Sequence, residues 1–175
     1  MFKIIMLILP FLLLSTTLHA QVKVTYSAQE TPYFTVNIPD NWRVNVGMES
    51  DPLTIPEGEL APPRIISMLP EDESNLWFAA WVPLYLHTLD EAQEYLETLD
   101  KFLVDKPVLL KSDVIELNEM PSRYFRGKGQ RDGEPVDFFV MLFELSQQNI
   151  GIAIYIGEPK TTDKHLEQLR SMMSS

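Results

Sequence analysis

The sequence predicts an α+β fold: a central, mostly antiparallel sheet of about six or more strands, flanked by helices on both faces. Three observations lead there. Many short segments alternate apolar and polar residues and are joined by short turns, a pattern that favours antiparallel pairing. Only two stretches carry apolar residues at helical spacing. Residues 136–145 are apolar at odd and even positions alike (Phe138, Val140 and Leu142 on one face, Phe139, Met141 and Phe143 on the other), so that strand needs cover on both sides.

Taken in order, residues 22–26 and 33–38 alternate and read as strands. Pro39, Asp40 and Asn41 form a turn, because proline lacks a donor and Asp and Asn bond locally to the backbone; residues 42–46 then return as a strand. Residues 47–63 hold four prolines and two glycines and read as a long, mobile surface loop. Strands 64–69 and 76–82 follow, separated by the acidic turn Glu71, Asp72, Glu73. Thr88 and Glu91 make a capping box, in which the hydroxyl accepts from an orphan N–H and the carboxylate reaches back. Leu89, Ala92, Leu96, Leu99 and Leu103 recur behind it at helical spacing, and Lys106-Pro107 is expected to end the helix. Strands 108–117, 122–128, 136–145 and 150–156 come next, with Asn118-Glu119 and residues 131–134 as hairpin turns. A helix over 162–173 closes the chain.

The first twenty residues carry one cation (Lys3), an apolar run interrupted by Pro10, then Ser15-Thr16-Thr17 and a small residue, Ala20. That is the pattern of a cleavable signal peptide, with the cut expected after Ala20. The run is shorter than the ~20 residues a bilayer-spanning helix needs, so no integral span is expected after cleavage. What remains of the 175 residues is one domain, residues 21–175. The chain has no cysteine and a formal net charge of −11, one unit more negative once Lys3 leaves. Its expected address is periplasmic or secreted. Such an acidic surface repels phosphate backbones, so nucleic acid is not an expected partner.

Phe34, Val36, Ile38, Pro39 and Trp42 together form an aromatic–x–aliphatic–x–aliphatic–Pro–x–x–Trp pattern that resembles the opening hairpin of the PsbP-like superfamily. That group includes a photosystem II extrinsic subunit, a yeast Ran-binding import factor and bacterial exported DcrB-like proteins. Residues 150–173 resemble its closing strand and helix. The resemblance spans the whole mature domain. It implies a PsbP-like fold and an accessory, assembly or binding role.

Catalytic chemistry finds little to stand on. There is no cysteine and no G-x-S-x-G elbow, and after signal removal only His87 and His165 remain, both read as surface or edge residues. No metal motif occurs, and Glu71-Asp72-Glu73 reads as a solvated turn rather than a calcium site, which would need ~6–8 oxygen ligands. Gly127-Lys128-Gly129 lacks the ending of a phosphate loop. No catalytic residue, metal or cofactor is therefore expected.

Two features are candidates for binding. Trp77, Ala79 and Trp81 share one face of a strand, where the two indoles either line a shallow cleft or sit in the core beneath a helix; the core is the preferred reading for at least one. Arg123, Arg126, Lys128 and Arg131 gather four cations in nine residues, and are expected to pair with Asp132, Glu134 and Asp137 across the hairpin or else to dock an anion or partner. The leading functional expectation is an exported, non-enzymatic accessory or assembly protein that binds a protein partner in the cell envelope. The alternative is a periplasmic small-molecule or lipid-binding module using the aromatic face. An enzyme built on scattered carboxylates comes third.

Overall fold

The computed structural model describes residues 20–47 and 63–175. The expected signal segment through His19 and most of the expected 47–63 loop lie outside the described residues. The chain runs β1 (Gln21–Ala28), β2 (Thr31–Pro39), β3 (Trp42–Val46), β4 (Ile65–Pro70), β5 (Leu76–Trp81), α1 (Leu89–Leu103), β6 (Asp105–Leu117), β7 (Met120–Arg131), β8 (Glu134–Glu144), β9 (Ile150–Gly157) and α2 (Pro159–Met173). Seven strands form one sheet in the order β3-β4-β5-β9-β8-β7-β6, and β1 and β2 form a separate ribbon. Every pairing among them is antiparallel.

The ribbon corrects one sequence expectation. Residues 42–46 do not return against 33–38; β2 pairs with β1, and β3 pairs with β4. Pro39-Asp40-Asn41 is a corner between two sheets. The physical reason lies in the partners available: Val22 and Val24 of β1 stand opposite Ile38 and Val36 of β2 and complete its apolar face. The ribbon turns back at Gln29-Glu30, the β6–β7 hairpin at Asn118-Glu119 and the β7–β8 hairpin at Asp132-Gly133, each with two consecutive positive φ angles. These are the two-residue turns whose twist suits a hairpin.

The capping box forms as the sequence predicts. Glu91 N–H donates to Thr88 Oγ1 at 3.2 Å, and the Glu91 carboxylate accepts from Thr88 N–H at 3.1 Å and His87 N–H at 2.8 Å. These backbone donors hold the Glu91 carboxyl below its ordinary value. The helix stops at Leu103, earlier than Lys106-Pro107, because Asp105 already pairs with Gln130 as the start of β6. The closing helix begins at Pro159 rather than 162: proline fits the first turn, where its missing N–H would have no partner.

The centre of the sheet is the core. All eight residues of β9 are buried, as are Phe78, Ala79, Ala80 and Trp81 of β5 beside it. Two glycines are required by close packing rather than by turns. Gly127 stands opposite Phe138, and Gly151 opposite Phe143; a side chain at either would collide with the facing ring.

Candidate functional site

The six candidate residues do not converge on one place. Trp81 is 2% exposed and packs in the core. Trp77 is half-buried, and the Arg131 guanidinium sits 5.5 Å above its ring. Together with Leu69, Asn75 and Glu134 they border a shallow hollow of ≈ 290 Å³. Arg123 reaches α1, donating to Asp90 Oδ1 at 3.0 Å and to Gln93 Oε1. The expected pairing across the hairpin therefore holds only for Lys128, which lies 4.0 Å from Asp137. Arg126 and Lys128 project on the side opposite Arg123, as strand alternation requires.

On that side a row of rings crosses three strands. Lys111 lies 5.3 Å from the Tyr124 ring centre, Tyr124 stacks on Phe139 at 5.4 Å, and Phe139 stacks on Tyr155 at 5.6 Å. Burial raises the Tyr155 hydroxyl above its usual pKa. Such stacked cross-strand pairs stabilise the sheet, and Tyr124 leaves only part of its ring to solvent.

His165 departs from expectation: it is buried, 4% exposed, not a surface residue. Its Nε2 lies 3.1 Å from Asp72 Oδ2 and 3.3 Å from Ser74 Oγ, and its Nδ1 lies 2.8 Å from Gln168 Oε1. Trp42 Nε1 donates to the same Gln168 oxygen at 3.0 Å, and Gln168 Nε2 donates to Asn41. Lys164 and Ser74 hold the Asp72 carboxyl well below the usual carboxylate range. Serine and carboxylate crowd one imidazole nitrogen here, whereas a nucleophile–base–acid relay splits them between the two. The arrangement docks α2 on the corner after β2 and the turn after β4. His87 is exposed and meets the Gln148 carbonyl at 3.1 Å. Among the described residues no group of three His, Asp or Glu side chains could hold a metal ion.

Sequence reasoning overlooked the most conspicuous surface. Phe102 at the end of α1, and Val108, Leu109, Leu110 and Val114 of β6, are each between 54% and 82% exposed. Beside Leu109 lies a nearly all-apolar hollow of ≈ 260 Å³, bordered also by Leu96, Leu103, Phe125, Phe138 and Ile154. The signal was present: three consecutive apolar residues, 108–110, following Pro107. It carries meaning only once β6 is known to be an outer strand. A second hollow, of ≈ 390 Å³, opens between the ribbon, the end of α2 and the sheet, bordered by Phe34, Val36, Phe78, Met141, Phe143 and Met172.

A seven-stranded antiparallel sheet, a two-stranded ribbon and two helices define an α+β protein. Across 92% of this chain and 94% of the other, the structure is similar to cyanobacterial PsbP (CyanoP) from Synechocystis sp. PCC 6803, with a TM-score of 0.57 and 8% sequence identity. A protein of unknown function from Pseudomonas aeruginosa, PA94, matches over 87% of this chain and 94% of its own, with a TM-score of 0.48 and 12% identity. At such identities the likeness to CyanoP is one of fold. No family model and no curated protein matches the sequence. No described helix is long and apolar enough to cross a membrane.

Proposed function

We propose that this protein is an exported, non-enzymatic accessory or assembly factor that binds a protein partner in the cell envelope through the apolar surface of α1 and β6. One observation carries the reading: Phe102 of α1 and Val108, Leu109, Leu110 and Val114 of β6 stand in solvent, Leu109 at the border of an apolar hollow, on a chain that is otherwise strongly acidic. Exposed apolar surface of this kind marks interaction sites. Export is supported by the signal-like first twenty residues and by β1 beginning at Gln21, directly after the expected cut. The helices are read as covering opposite faces of the sheet: α1 residues share a hollow with Phe138 and Val140, α2 residues with Met141 and Phe143.

The test is cross-linking and capture from the native envelope with the parent chain and with Phe102→Asp and Leu110→Asp. Both sites are exposed, so the variants should fold normally. A stoichiometric partner that is captured by the parent and lost from the variants is the expected result. Equal capture by all three sinks the reading. Mass spectrometry of the same preparation should find Gln21 at the N-terminus, and retention of Met1 would remove export.

A second reading has its own support. The Met- and Phe-lined hollow beneath the ribbon is of a size that holds small ligands. This makes a small-molecule or lipid-binding module the alternative, now placed at Met141 and Met172 rather than at Trp77 and Trp81. Native mass spectrometry of freshly purified protein separates the two: an apolar ligand at one per chain favours this alternative.

A further inference from the structure

β6 is the outermost strand of the sheet and bonds to β7 on one side only. Among the described residues no strand lies against its other side, a row of backbone donors and acceptors. Val114 N–H shows which residues these are, because it donates at 3.0 Å to Asp113 Oδ1, the side chain of its own neighbour. By the two-residue period, Ser112, Val114 and Glu116 therefore direct their backbone groups outward, and Lys111, Asp113 and Ile115 direct theirs to β7. A long edge with exposed apolar side chains is a template for another strand.

Charge selects which strand fits. Two copies of β6 meeting about a two-fold axis must set outward residues against outward residues, so the axis falls on a residue. Placed at Lys111, it opposes two lysines; placed at Asp113, it opposes two aspartates. Placed at Val114, it leaves Lys111 facing Leu117 and brings the two Asp113 side chains diagonally together. Placed at Ser112, it sets Lys111 against Asp113 of the second copy, Asp113 against Lys111, and Leu110 beside Val114. Within one chain the same two charges already lie 3.9 Å apart.

We propose that β6 pairs with β6 of a second copy, antiparallel and centred on Ser112, joining two sheets into one. This rests on the partner-binding reading of the same surface and names the partner. On pairing, the Ser112 backbone groups of the two copies bond to each other across the axis, and the Asp113 carboxylate of each takes Lys111 of the other. The extra residue between Leu109 and Lys111, the shift between Asp105 and Val108, and the donorless Pro107 confine the new ladder to the stretch around Ser112. Edge charges often keep strands apart; here their order along the strand is self-complementary in one register.

The chain has no cysteine, so single thiols report the register cleanly. Ser112→Cys should form a disulfide dimer under mild oxidation, since paired residues across an antiparallel ladder come within disulfide reach. Lys111→Cys and Asp113→Cys should each stay free of disulfide alone and cross-link when mixed. In sedimentation, the parent should run at twice the chain mass, Lys111→Asp at the chain mass, and Lys111→Asp with Asp113→Lys at twice it again. A monomeric parent together with an unlinked Ser112→Cys overturns the proposal, as does a Val114→Cys dimer formed in place of the Ser112→Cys dimer. If self-pairing fails while Leu110→Asp still abolishes envelope capture, the partner-binding reading stands without it. If capture is indifferent to Leu110→Asp, that reading falls and the cross-linking result is judged alone.

Discussion

Thr88, Asp72 and the two tryptophans of β5 each give a measurable consequence at the scale of single residues. Thr88→Ala removes the hydroxyl that accepts Glu91 N–H and should cost about 1 kcal/mol, read as a lowered urea midpoint. Asp72 has a folded pKa depressed below its ordinary 3.8, so it stabilises the fold above that value and loses the contribution as pH falls beneath it. Asp72→Asn should therefore be less stable than the parent at neutral pH, and the two should converge in acid; a difference independent of pH would detach Asp72 from the docking of α2. Trp81→Ala opens a cavity in the core and should cost roughly 3–5 kcal/mol. Trp77→Ala should cost distinctly less, because its ring is half-exposed and its contact with Arg131 is worth about 0.5–1 kcal/mol. Equal losses by urea unfolding would mean that the two indoles share one environment.

Among elements, the β6–β7 hairpin is the informative one. Glu119 holds a left-handed backbone angle (φ 66°) that a side chain disfavours, so Glu119→Gly should stabilise the protein by about 0.5–1 kcal/mol in thermal unfolding. The hairpin's existence was legible from alternation and from Asn118-Glu119, as α1 was from Thr88 and its leucine spacing. What could not be read was position within the sheet. The same alternating pattern serves a central strand and an edge strand, so the exposure of Val108 and Leu110 had no meaning until β6 was placed outermost. Likewise Arg123 was expected to bond across its own hairpin, but a guanidinium reaches farther than a neighbouring strand, and α1 brought Asp90 and Gln93 to it from another part of the chain.

For the whole molecule, local signals named the α+β class and nearly every element, while long-range partners escaped them. His165 looked like a surface residue of a short amphipathic helix; its burial depends on Asp72 and Ser74, more than ninety positions earlier. The strand order also sets the sequence in which the chain can assemble. β5 is among the most apolar strands, and one of its two sheet neighbours is β9, near the C-terminus. A chain emerging from its N-terminus makes β5 long before β9 exists, so its edge must wait, unpaired, through α1 and three further strands. Pairings this distant are slow to form. Truncation before Ile150 should leave a chain that aggregates on refolding, while the full chain refolds with a single late step that buries the tryptophans. A chaperone that shields β5 on the growing chain would then meet its release signal in the arrival of β9.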